Sequence, residues 1–208
     1  LRADPRGRLS SAGDVLLIAD SDGSGSGTIQ LAGNIFVGGG FATFQLSGQD
    51  GFFSGSLSGP GGLVKQGLGS LQLTATSQNS YLGATFIEAG TLIVDGTIGL
   101  CVPAGIVTIG AAGTLSGNGT VNAPIFANSL TAQIVSTGNL KLGDGSAAGF
   151  DFAGTFVIGD GHAVEVRDAD GAQLGFVTSI GHGSVLVARG GVEVSSGELL
   201  TGFGRVQG

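Results

Sequence analysis

Methionine and tryptophan are absent from this 208-residue chain, cysteine and tyrosine occur once each, and proline occurs four times. The lone Cys101 excludes an internal disulfide. Lying in the apolar stretch GLCV with no His, Lys or Arg close in sequence to lower its pKa, it reads as a small buried hydrophobe. A single cysteine fits the cytosol or an export route that avoids disulfides. Only 11% of residues are charged, against about 25% in ordinary domains. Eight Lys and Arg face fifteen Asp and Glu, for a net charge of -7, which excludes the clustered cations that nucleic-acid binding needs. Only Arg2, Arg6 and Arg8 lie close together, and they read as a solvated arm within residues 1–15, an arm or cap. The longest apolar runs, such as VLLIA at 15–19, are far short of the ~18 to 20 residues of a membrane-spanning helix. The start at Leu1 without a signal peptide suggests a processed product or a segment of something larger.

Glycine, by contrast, is abundant, at 43 of 208 residues. Each interior glycine costs a helix up to about 1 kcal/mol relative to alanine, so long helices are disfavoured. Disorder is the rival reading, but Leu, Ile, Val and Phe make up 63 residues, roughly 30%, enough to bury a core. A packed, glycine-punctuated β fold is the better fit.

A five-residue phrase of the form small, Ser/Thr/Asn, apolar, any, apolar recurs along the chain. It reads GTIQL at 27–31, ATFQL at 42–46, GSLQL at 69–73, GTLIV at 90–94, GNLKL at 138–142, GTFVI at 154–158 and GSVLV at 183–187, with a degenerate GTLSG at 113–117. The mean spacing of about 22 residues points to a β-solenoid adding one coil at a time. AGTLIVDGTI (89–98) and AGTLSGNGTV (112–121) align without a gap at an offset of 23. An antiparallel sandwich or barrel is the structural alternative, but hairpin neighbours have no reason to repeat in one direction. The sequence therefore predicts one all-β solenoid domain over residues 1–208, with about 21 to 25 residues per coil and about nine turns. Thr85 is expected over Thr108, Thr91 over Thr114, Leu92 over Leu115, Asp95 over Asn118 and Thr97 over Thr120. Uneven spacings suggest that ATFQL and GTFVI occupy a different face from the other phrases. Alternation puts Val185 and Val187, then Val192 and Val194, on one side. Phe41, Phe44, Phe52, Phe53, Phe150, Phe152 and Phe156 are expected to fill the wider lumen.

Between Gly59 and Gly96 the chain carries GGLVKQG, GLGSLQL, NSYLG and TFIEAGTLIV in that order. These elements resemble the autotransporter-associated β-strand repeat, and AAGTLSGNGTVNAPI at 111–125 looks like the segment that trails such repeats. The resemblance implies a right-handed, single-stranded parallel β-helix in the passenger region of an exported bacterial protein, extracellular or on the outer-membrane surface.

Few residues suggest chemistry. Asp160 and His162 in GDGH, with His182 in SIGHG, would stack near one carboxylate if they fell on successive coils, yet turn histidines are the simpler reading. DSDGSGSG (20–27) and DADGAQLG (168–175) open like calcium loops, with Asp20, Asp22, Asp168 and Asp170, but lack the closing bidentate Glu and read as tight turns. Too few threonine ladders exist for an ice-binding face. No catalytic, cofactor or metal site is assigned. The expectation is a non-enzymatic structural or adhesin segment with a glycan or host-surface ligand. End-to-end stacking into filaments is one alternative, since the terminal TGFGRVQG shows no charged cap. A carbohydrate-binding or polysaccharide-cleaving protein on the same fold is the other.

Overall fold

The computed structural model describes residues 2–3, 8–19, 27–100, 105–147 and 149–208. Its strands are short because apolar phrases of three to six residues are cut by glycine and Asn/Asp corners, and they stack in three columns of parallel ladders. The first column runs through Val15–Ala19, Phe41–Leu46, Gly62–Gln66, the opening of Thr85–Val94 and of Val107–Gly117, then Ile125–Ala127, Phe150–Phe152, Ala172–Gln173 and Val192–Glu193. The second runs through Gln30–Leu31, Gly51–Phe53, Ser70–Leu73, the closing halves of the same two long strands, Gln133–Ser136, Thr155–Ile158, Val177–Ile180 and Leu199–Gly202. The third begins at Leu9–Ser11, Ile35–Val37 and Leu57–Ser58 and resumes from Gln78–Asn79 up to Arg205–Gln207. Among the described residues one pairing is antiparallel, Arg2–Ala3 against Leu9–Ser11.

In the second column Leu31, Phe53, Leu73, Val94, Gly117, Ser136, Ile158, Ile180 and Gly202 stand one above the next, 19 to 23 residues apart. These eight steps span about 38 Å at ~4.8 Å each. The coils are slightly shorter than the 21 to 25 residues expected. Thr91 lies over Thr114, Leu92 over Leu115 and Thr97 over Thr120 as predicted. Asp95 also stands beside Asn118, whose N–H donates to Oδ1 at 3.3 Å. Thr85, however, lies under Val107, and Phe86 faces Thr108. The register shifts after Ile87, where Glu88 alone separates Ile87 from Ala89 while Gly110 and Ala111 separate Ile109 from Ala112. This is a β-bulge.

One further expectation changes. ATFQL does occupy a different column from GSLQL and GTLIV, but GTFVI joins those two in the second column, and it is GNLKL and GSVLV that move to the third. Val185 and Val187 share one side as expected, and it is the outer one, since Leu186 and Ala188 are buried.

One inner ladder of the second column is Leu71, Leu92, Leu115, Ile134, Phe156, Thr178 and Leu200. Aromatic rings fill the lumen at two levels. Phe44 and Phe53 lie 5.8 Å apart, and Phe150, Phe152 and Phe156 form a cluster with centroids 5.9 to 6.5 Å apart. Phe41 and Phe52 are outward instead. Phe41 covers Gly62 and meets Phe86 edge-on at 5.5 Å. At the corners the coils approach too closely for a side chain. A Cβ on Gly154 would lie 2.1 Å from the Ala132 carbonyl oxygen, and one on Gly117, which also has φ of +129°, 2.1 Å from that of Val94.

Replacing Leu92 by Asp buries an unpaired carboxylate in the lumen and is expected to cost more than about 4 kcal/mol. Ile93→Thr, on the outward face of the same strand, should cost less than about 1 kcal/mol. Equal denaturation midpoints for the two variants would refute this register. Thr178 is fully buried with no partner for its hydroxyl among the described residues, so Thr178→Val should raise stability by about 1 kcal/mol.

Candidate functional site

The densest buried polar chemistry lies between Lys65 and Thr85. Lys65 takes an inward place in the ladder between Phe44 and Ile87, and its stem lines the lumen. Its ammonium donates to the backbone carbonyls of Gln66 (2.9 Å), Gly67 (2.7 Å) and Ala89 (3.1 Å), the last in the next coil at the β-bulge. Three carbonyls match three N–H donors, yet burial away from water still lowers the Lys65 pKa to about 8. Asn79, fully buried, joins three coils: its Oδ1 accepts from Leu57 N–H at 2.9 Å, and its Nδ2 donates to the Thr97 carbonyl and the Ser77 hydroxyl, both at 3.0 Å. Tyr81 is enclosed and shares a short hydrogen bond with the Thr85 hydroxyl, while burial pushes its phenol pKa up. These three residues are structural plugs.

GDGH and SIGHG do fall on successive coils, with Gly161 N–H donating to the His182 carbonyl at 3.0 Å. The carboxylate and the His162 ring are nevertheless engaged separately. Asp160 Oδ1 accepts from the backbone N–H of His182 at 2.7 Å, and His162 Nδ1 bonds the Ser136 hydroxyl of the coil below at 2.9 Å. Ser136 is buried and also accepts from Gly159 N–H at 3.1 Å, so the Ser–His pair braces a corner and offers no exposed nucleophile.

Asp151, Asp168, Asp170 and Glu193 line a shallow depression of about 200 Å³. Asp168 is buried, and its two oxygens accept from Phe150 N–H (2.7 Å) and Asp170 N–H (3.1 Å), an Asx-type corner. Burial first, then the Asp170 side chain, raise its pKa above the ordinary 3.8. No grouping of three or more His, Cys, Asp or Glu suited to a metal occurs among the described residues. Asp20, Asp22, Cys101 and Arg6 lie outside the described residues, as does the side chain of Arg2. A second charged surface holds Lys141, Glu165 and Arg189, with Arg189 Nε 3.8 Å from Glu165 Oε1. The first surface gathers four carboxylates with no basic residue in its lining, and the second holds one carboxylate with two basic residues. No helix among the described residues is long and apolar enough to cross a membrane.

Residues 63–94 match the family described as the passenger-associated-transport-repeat. The match runs from Leu63 to Val94 and encloses Lys65, Asn79 and Tyr81. An extracellular serine protease of Serratia marcescens is 44% identical over 71 residues, 34% of this chain and 6% of that protein. The adhesin BmaC autotransporter of Brucella suis biovar 1 (strain 1330) is 33% identical over 100 residues, 48% of this chain and 3% of that protein. The chain thus spans a small fraction of the length of these relatives. No solved structure gives a significant match. Over these stretches the chain is similar to proteins of the autotransporter passenger type, which points to export to the cell surface or beyond it.

Lys65 gives a pH dependence of definite sign. A folded pKa of about 8 against an ordinary 10.5 means the folded chain binds this proton less tightly, so stability is lowest below pH 8 and rises as pH climbs toward 10.5. The raised Tyr81 pKa acts oppositely, removing stability once the unfolded tyrosine ionises near pH 10. Denaturant melts should therefore show stability rising by up to about 3 kcal/mol between pH 8 and 10. Lys65→Met should lack that rise; an identical pH profile in the variant would contradict the assignment.

Proposed function

We propose that this chain is a non-enzymatic rod segment of a bacterial surface or secreted protein, which spaces and presents outward side chains to a surface ligand. The observation that carries this reading is the repeat at 63–94 set, with one β-bulge after Ile87, into ladders that continue on both sides of it. Its inward residues hold coil to coil, and its outward residues are left to vary with the ligand. The engaged side chains around Asp160, His162 and Asp168 favour a structural over a catalytic role. The name of the Serratia protease describes that whole protein, of which the similar stretch is 6%.

End-to-end association is the second reading. Two measurements separate these ideas. Antibodies raised against the chain should label intact cells that carry the native gene; labelling only after permeabilisation would sink the presentation reading. In electron micrographs of the purified chain, single rods about 40 Å long favour the rod segment, and uniform fibres favour end-to-end association.

A further inference from the structure

On the outer surface of the second column, Phe52 stands between Gln30 of one coil and Gln72 of the next. Its neighbours Gly51 and Phe53 face the lumen, so alternation turns the Phe52 ring outward, where it is 41% exposed. The adjoining corner stacks Ala32, Ser54 and Thr74, because Ser54 N–H donates to the Leu31 carbonyl (2.9 Å) and Thr74 N–H to that of Phe53 (3.0 Å). Together with Leu31 and Gln30 these groups line a depression of about 490 Å³, within the ~300 to 1,000 Å³ of small-molecule sites.

The lining is unusual in three ways. Its described residues carry no charge, in a chain of net charge -7. It places an exposed aromatic face beside polar groups. And the Gln30 amide and Ser54 hydroxyl make no hydrogen bond to other described residues, while the Thr74 hydroxyl shares one with Thr76 at 3.1 Å. An amide offers donors and an acceptor, and a hydroxyl offers both. The electron-rich ring face attracts weakly positive C–H groups. The complementary molecule has a flat C–H face, a rim of hydroxyls and no charge. We propose that this depression binds a neutral hexopyranose unit of a glycan, stacked on Phe52 and hydrogen-bonded by Gln30, Ser54 and Thr74.

This assignment rests on the surface-presentation reading for its biological setting, but its test does not. The purified 208-residue chain is examined by saturation-transfer NMR with lactose, maltose, cellobiose and N,N′-diacetylchitobiose at about 10 mM, enough to saturate a site with a Kd of about 1 mM. At least one disaccharide is expected to receive saturation at its ring C–H protons. Phe52→Ala should weaken binding at least about fivefold and Gln30→Ala measurably, whereas Phe52→Tyr and Phe36→Ala, the latter altering another exposed ring outside the depression, should leave it intact. Circular dichroism confirms the fold of each variant. Failure of all the neutral sugars, binding that survives Phe52→Ala, or preference for sialyllactose or a heparin oligosaccharide would each overturn the proposal. Such a failure would leave antibody labelling of intact cells, and so the presentation reading, unaffected.

Discussion

Every part of this molecule answers to one constraint, the in-register stacking of parallel coils at ~4.8 Å. A residue in such a ladder has a fixed neighbour above and below, so what one coil buries decides what the next can bury. The cluster of Phe150, Phe152 and Phe156 shows the effect, since three rings in two successive strands fill one level of the lumen against each other. The same spacing leaves no room for a Cβ at corners such as Gly154, whose glycine is required by the carbonyl of Ala132 in the preceding coil. The high glycine content is thus spent on close approach between coils as well as on turning the chain.

Stacking also explains how polar side chains survive inside. At a corner or bulge some carbonyls leave the regular ladder and need donors, and an inward side chain from the neighbouring coil can reach them. Lys65 does so at Ala89 and Asn79 at Thr97, while Asn79 Oδ1 also accepts from the Leu57 N–H. A buried polar group that is fully satisfied specifies one register, because a slip of one residue would orphan it. The repeat at 63–94 can be read physically in these terms. Its polar residues lock adjacent coils at one alignment, and the apolar ladders on either side inherit it.

Much of this was legible in the sequence, and the failures have specific causes. The phrase GTLIV and its echo GTLSG located the second column, and the gapless offset placed Thr91, Leu92 and Thr97 correctly. That offset failed at Thr85 because the extra residue of the bulge lies just before the aligned block. Val185 and Val187 were legible as sharing a side, but VLVA is apolar at every position, so alternation alone does not say which side is inward. The preceding coil does: Val185 and Val187 pair with Ala163 and Glu165, and the charged Glu165 marks that side as outer. Phe52 is the corresponding case at the candidate site. In GFFS two adjacent rings cannot both face the lumen of a strand, and the partner Phe53 took the inward place.

The same alternation is also what allows this fold to carry a ligand site at little cost in stability. In a compact globular domain a binding pocket is cut into the core, and its residues answer to packing as well as to recognition. Here inward and outward residues alternate along each strand. Phe52 contributes a ring to the surface while Phe53, one residue on, contributes to the lumen. Because each coil contacts only its neighbours, a change at an outward position is felt over one or two coils and not along the whole rod. A chain of such coils can therefore exchange its outer side chains, and with them its ligands, while the inner ladders and the glycine corners keep the register that holds the rod together.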